Sequence, residues 1–249
     1  MVIGKESFFW HKLHSLTGIV PVGYYVVQHL ILNSFSIAGP KYFNGVIAFF
    51  DSMPKFIFYL LELTLIWIPI FFHAGYGFFI VSGSMPNITA RALRYRENWM
   101  YTFQRITGIL VFLFLIYHMT TTTIFAKIYG DHVIRYGSWA DKLSANGYLL
   151  LWVYGLGVLF ATYHLSYGIW NFCIRWGITI SEKAQLATFK FSTVCFVLLT
   201  LLGWSALGGF FLHHQEPETE TIEVSKGHLV QGKLLKSCPD SSDNAGNIR

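Results

Sequence analysis

Five stretches of the chain, near residues 13–34, 57–82, 100–125, 147–174 and 188–212, are apolar over about 20 residues or more, the length an α-helix needs to cross roughly 30 Å of hydrocarbon. Inside a bilayer every backbone N–H and C=O must find its partner within the protein, which only helices and closed barrels achieve. The runs are too long for barrel strands and lack sustained alternation, so the expected fold is an all-α membrane protein, a bundle of five transmembrane helices. The composition agrees, with 53% of the 249 residues hydrophobic and only 12% charged, far from the balance of a soluble domain.

The basic residues orient the bundle. Lys5, Lys12, Arg91, Arg94, Arg96, Arg105, Arg175, Lys183 and Lys190 lie in or beside the N-terminal segment and the loops after the second and fourth runs. The opposite loops carry Lys41, Lys55, Lys127, Arg135 and Lys142, offset by Asp51, Asp131 and Asp141. The first set is expected to face the cytoplasm of a bacterial cell, with the N terminus. Residues 1–213 then form the transmembrane domain. Residues 214–249, opening on the acidic stretch EPETETIE, form a polar extracytoplasmic tail expected to be flexible. The start MVIGKESFFWHKLHS reads as no signal peptide. The net charge of +5 reflects membrane orientation and not nucleic-acid binding. Cys173, Cys195 and Cys238 form neither CxxC nor CxxCH, so a thiolate metal site and a covalent c-type haem lack support.

Four histidines sit inside apolar runs, one per helix: His29, His73, His118 and His164. A polar group at such depth is costly and tends to be functional, although a single one can serve as a hydrogen-bonded packing residue. Depth sorts the four. The first and third helices run outward and reach His29 and His118 late; the second and fourth run inward and reach His73 and His164 past their middles. Two pairs at two levels suit two bis-histidine b haems stacked across the membrane. His73 and His164 share the pattern H-x-x-Y-G, so Gly77 and Gly168 fall one turn along the same face, where a flat macrocycle needs room. The echo LTGI and ITGI puts Gly18 and Gly108 about 15–17 Å before His29 and His118, beside the inner pair. Helix packing through small residues is the other reading of these glycines.

Haem propionates need cationic or hydrogen-bonding partners. Candidates at the inner level are His14, Ser15, Tyr101, Gln104, Arg105 and Arg175. Arg105 is foremost among them, with snorkelling to the lipid interface as its alternative, and Arg175 equally suits a lipid phosphate. Glu62, an acidic residue within the spans, falls about 16 Å outward of His73, where a carboxyl would carry protons to a quinone or rest neutral and hydrogen-bonded. Asp51 in FFDSMP assists that route or caps its turn. Pro21 and Pro69 interrupt two helices. His132, His213 and His214 fall at the outer interface.

The segments KLHSLTGIVPVG, VVQHL, FNGVIAFFDSMP, FHAGYG, NWMYTFQRITGI, IYH, YHLSYGIW and WGITISEKAQ, in this order across residues 8–210, are similar to the dihaem cytochrome b membrane anchor of succinate:quinone oxidoreductases (succinate dehydrogenase and fumarate reductase), above all the single five-helix subunit of the Bacillus type. The resemblance implies that His73 and His164 ligate the iron of a proximal haem b and His29 and His118 that of a distal one. It implies propionate contacts at Ser15, Tyr101, Gln104 and Arg175. It implies two cytoplasmic partners, a flavoprotein with covalent FAD and an iron–sulfur subunit, and a quinone as acceptor, menaquinone for the dihaem type. Further oligomerisation of the complex stays open. Two other readings stand beside it: the cytochrome b anchor of a hydrogenase or formate dehydrogenase, which would share histidines but not KLHS, FFDSMP and WGIT, and a haem-free transporter whose histidines relay protons.

Overall fold

The computed structural model describes residues 5–84 and 95–213. Arg91, Arg94, Cys238, His214 and the tail 214–249 lie outside the described residues. Among the described residues five helices are long and apolar enough to cross a membrane: α1 (Phe8–Ala38), α3 (Lys55–Ser82), α4 (Arg96–Tyr129), α5 (Tyr136–Arg175) and α6 (Glu182–Leu212). Among the described residues there is no strand. The protein is a multi-pass, all-helical membrane protein.

Side-chain pairings give the topology. His14 meets Gly77 and Gly18 meets His73, so α1 and α3 run antiparallel. Gln104 meets His164 while His118 meets Tyr154, which makes α4 and α5 antiparallel. Thr162 meets Thr200 and Gly155 meets Trp204, which does the same for α5 and α6. Buried positions are small and polar where the spans touch: Ser36, Thr162, Ser166 and Ser192 are fully enclosed, and a side chain on Gly203 or Gly209 would strike Val158 or Ser36. Large apolar residues such as Phe56, Phe71, Phe79 and Leu198 face outward. That distribution is expected where lipid is the solvent and close backbone approach replaces hydrophobic burial as the source of cohesion.

Two departures from the sequence reading bear on function. The segment taken as loop between the first two spans contains a helix, α2 (Pro40–Ser52), with Pro40 in its first turn after Gly39 at φ 100°. Its Phe43 packs on Tyr136 and Phe210, and Asn44 Oδ1 accepts from the Tyr136 N–H at 2.9 Å. Secondly, α5 starts earlier than residue 147 and breaks on the way. Residues 136–144 form a lead segment whose Tyr136, Ala140 and Leu143 are buried. Ala145 then turns extended (ψ 157°), and Asn146, Gly147 and Tyr148 all take left-handed backbone at φ 51°, 63° and 64° before the span resumes. An Asn-Gly pair favours such conformations; for Tyr148 they are rare.

Three spans carry a π-helical stretch: Gly18–Gly23 around Pro21, Glu62–Trp67 just before Pro69, and Thr120–Ile124 just after His118. One extra residue per turn there relieves the clash a proline makes with the preceding turn in two of the three cases. Each stretch also resets the angular register of the residues beyond it.

Candidate functional site

The fold brings the four intramembrane histidines together in the expected pairs. The His73 and His164 rings have centroids 6.2 Å apart and planes at 85°. Those of His29 and His118 are 5.7 Å apart at 77°. Gly18 and Gly108 stand at the level of the first pair: a side chain at Gly18 would overlap the His73 ring, and one at Gly108 would come within 3.0 Å of His164 Cε1. From Gly18 to His29 is 11 residues of α1, about 16 Å along the axis, so the two pairs occupy two depths. The other two glycines lie against protein side chains. A side chain added at Gly77 would come within 3.1 Å of His14 Cε1, whereas one at Gly168 would meet Gln104 Nε2 at 3.5 Å and Ile19 Cδ1 at 3.9 Å, in ordinary contact.

Hydrogen bonds fix three of the rings. His73 Nδ1 lies 2.9 Å from the His14 carbonyl, and His164 Nδ1 lies 3.1 Å from the Gln104 carbonyl. A carbonyl oxygen only accepts, so in both neutral rings the proton sits on Nδ1 and the Nε2 lone pair is bare. His118 Nδ1 lies 3.2 Å from the Tyr154 hydroxyl. Were metal bound at His118 Nε2, its Nδ1–H would donate to the phenol oxygen. His29 stacks on Tyr25 with centroids 5.6 Å apart.

These features fit a bis-histidine haem at each level. With nitrogen–metal bonds of about 2 Å, two imidazoles on opposite sides of one ion have centroids roughly 6 Å apart. A ligating histidine characteristically donates its other ring N–H to a fixed acceptor. Among the described residues no three or more His, Cys, Asp and Glu side chains gather as a metal site; pairs suffice where a macrocycle brings four nitrogens of its own.

Of the propionate candidates, His14 stacks on His73 with centroids 4.0 Å apart, and its buried Nδ1 has no protein partner. Gln104 clamps His164 from both sides, its carbonyl accepting from the ring and its Nε2 donating to the His164 carbonyl at 2.8 Å, while its Oε1 is buried without a partner. Ser15 Oγ donates to the Lys12 carbonyl at 2.8 Å and accepts from Trp176 Nε1 at 3.0 Å, joining α1 to the end of α5. The Arg105 guanidinium lies 4.6 Å over the Tyr101 ring. Arg175 is near enough to His11 and His14 to act on both electrostatically.

At the other level Glu62 is bound by Lys127, whose Nζ is 2.8 and 2.7 Å from its two oxygens, and by Trp67 Nε1 at 3.0 Å. Asp51 pairs with Lys55 at 3.3 Å on the exposed turn between α2 and α3. His213 lies at the end of α6 with Nε2 3.2 Å from the Ile37 carbonyl. Sequence reasoning missed Tyr154 and Lys127, and missed that the ligand anchors at His14 and Gln104 are backbone carbonyls. A tyrosine inside an apolar helix is a signal that was available; a carbonyl belongs to every residue and gives none.

Among known proteins, the chain is similar to the succinate dehydrogenase cytochrome b558 subunit of Bacillus subtilis (strain 168), with 34% identity over 207 residues, which covers 83% of this chain and 98% of that protein. No protein-family model matches it.

Proposed function

Because the chain belongs to the family of succinate dehydrogenase cytochrome b subunits, we propose that it anchors a flavoprotein and an iron–sulfur subunit on the cytoplasmic side of the bacterial inner membrane and carries electrons from the iron–sulfur partner to a quinone, menaquinone by the dihaem type. Succinate is oxidised on the flavoprotein, which carries FAD. The observation that carries this reading is the pairing of the four histidines, with the Nδ1 protons of His73 and His164 committed to backbone carbonyls so that their Nε2 atoms are left to bind metal.

His73 with His164 would hold one haem b, and His29 with His118 the other. Each haem, when bound, supplies one-electron exchange at an iron tuned by its axial ligands and their hydrogen bonds. The chain's own residues do the rest. The carbonyls of His14 and Gln104 hold two rings in one tautomer, and Gly18 and Gly108 let α1 and α4 close on them. His14 Nδ1, buried and without a protein partner, can donate to a propionate, with Ser15, Tyr101, Gln104, Arg105 and Arg175 as the further candidates around it. Glu62 and Asp51 are our candidates for moving protons to the quinone at the opposite level, Glu62 as half of its ion pair with Lys127.

A pyridine haemochrome assay on the purified complex tests the reading. Two b haems per chain, reduced on adding succinate, are expected. A chain without haem would overturn it and return the histidines to a proton relay.

A further inference from the structure

We infer that the ion pair of Glu62 with Lys127 sets the reduction potential of the haem held by His29 and His118, the carboxylate lowering it and the ammonium limiting that effect. The inference rests on the proposed function and adds a tuning role for a charged pair inside the spans. Glu62 lies at the depth of His29. Gly18 faces His73 across the antiparallel α1 and α3, and 11 residues beyond Gly18 stands His29, while 11 residues before His73 stands Glu62. Each interval holds one π-helical stretch, Gly18–Gly23 or Glu62–Trp67, and the two stretches pack on each other, so the levels stay matched. Tyr25 connects the two residues. Its ring stacks on His29 with centroids 5.6 Å apart, and it is near enough to Glu62 for the carboxylate to act on it electrostatically.

Local structure builds the pair and burial gives it reach. Lys127 Nζ donates to the two carboxylate oxygens at 2.8 and 2.7 Å, and Trp67 Nε1 donates to one of them at 3.0 Å. The π period returns the residue five positions on to the face of Glu62, which is why Trp67 can reach it. The Glu62 side chain is 11% exposed, against 49, 55 and 35% for Asp51, Glu97 and Asp131 in the other ion pairs among the described residues. Solvent therefore screens it least, and a charge in such surroundings acts more strongly on its neighbours. A ferric haem carries one more positive charge than a ferrous one, so a carboxylate at its level favours the ferric state and an ammonium the ferrous. Lys127 is 40% exposed and reaches over the Tyr59 ring at 5.1 Å. It is the better screened of the two, which leaves the larger effect to Glu62. The level of His73 and His164 is about 16 Å further inward, where both charges act less.

The test is a redox titration of the b haems in the intact complex. The haem concerned is identified by its response to Tyr154→Phe, since the Tyr154 hydroxyl bonds the His118 ring. Glu62→Gln should shift that haem about tenfold toward the ferrous state, about 59 mV upward for one electron, and move the other haem several-fold less. Lys127→Met should shift the same haem the opposite way, and the double variant should fall between the two single ones. Lys127→Arg, which keeps the charge, should leave the potential in place. If Glu62→Gln does not assemble, Lys127→Met read against Lys127→Arg supplies the sign by itself. An unshifted haem, equal shifts of both haems, or single variants that move the potential in one common direction overturn the inference, the last because a mere loosening of α3 from α4 does not follow the sign of the charge removed. An unsubstituted complex without haem overturns the proposed function and this inference with it.

Discussion

Gly18 has little freedom to change, because the ring of His73 occupies the space its side chain would need. Gly18→Ala must push α1 off α3 or swing the imidazole away from the His14 carbonyl, and overpacking of this kind costs about 1–3 kcal/mol. The expected result is loss of the haem held by His73 and His164, read as a fall from two b haems per chain to one. Tyr154 stands in the same relation to the other pair, through chemistry instead of volume. Tyr154→Phe keeps the ring and its packing on Trp139 and Phe114 but deletes the hydroxyl that bonds His118 Nδ1. Loss of such a partner typically lowers metal affinity about 10–100-fold. Redox titration should therefore show the signal of one haem weakened or shifted and that of the other unchanged; equal effects on both would refute separate anchoring. Gln104→Leu provides the contrast. It removes the 2.8 Å bond to the His164 carbonyl but not the backbone acceptor of the ring, so both haems should stay and stability should drop by about 1 kcal/mol. A protein that loses a haem on this change would show the side chain, not the backbone, to be the anchor.

At the scale of helices, the pairing of histidines was legible in the sequence because it depends on quantities a sequence carries: span length, direction and distance along an axis. Gly18 and Gly108 could be set beside His73 and His164 by counting residues at 1.5 Å each. What the counting missed are local changes of period. The three π-helical stretches leave no clear mark in composition, since Thr120–Ile124 contains neither proline nor glycine. The break at Asn146–Tyr148 was marked by its Asn-Gly pair, yet the apolar run on its far side drew the helix start to residue 147. Helix α2 was missed because 13 residues cannot span a bilayer and were read as connection. The period is open to experiment, because removing one residue turns everything beyond it by about 100°. Deleting Phe112, between Gly108 and His118, should carry His118 away from Tyr154 and His29 and abolish one haem while Gly108 and Gln104 still serve His164. Deleting Thr123 falls beyond His118 and returns a π turn to α-helical period. Both haems should persist there, and only Lys127 should leave Glu62. Haem stoichiometry separates the two deletions, and identical losses would show that the π stretch is not an independent unit.

For the whole molecule, the two depths would, on the proposed function, turn electron transfer into charge movement across the membrane. The step from the level of Gly18 to that of His29 covers about 16 Å of a roughly 30 Å hydrocarbon layer. A full crossing is worth about 2.3 kcal/mol per charge at 100 mV, so this step is worth about 1.2 kcal/mol, close to an eightfold change in the equilibrium between the levels. The sign depends on orientation. With the basic loops in a negative cytoplasm, an electron entering at His73 and His164 and leaving beyond His29 and His118 moves toward the positive side, downhill. The membrane potential then assists reduction of a low-potential quinone by succinate, and the chain's topology alone provides the coupling. Dissipating the potential in intact cells should slow succinate-dependent quinone reduction several-fold, while reduction of a dye that takes electrons at the cytoplasmic subunits keeps its rate. With the bundle inverted the same treatment would accelerate quinone reduction, and with both haems at one depth it would leave the rate unchanged, so a single measurement in cells discriminates among the three arrangements.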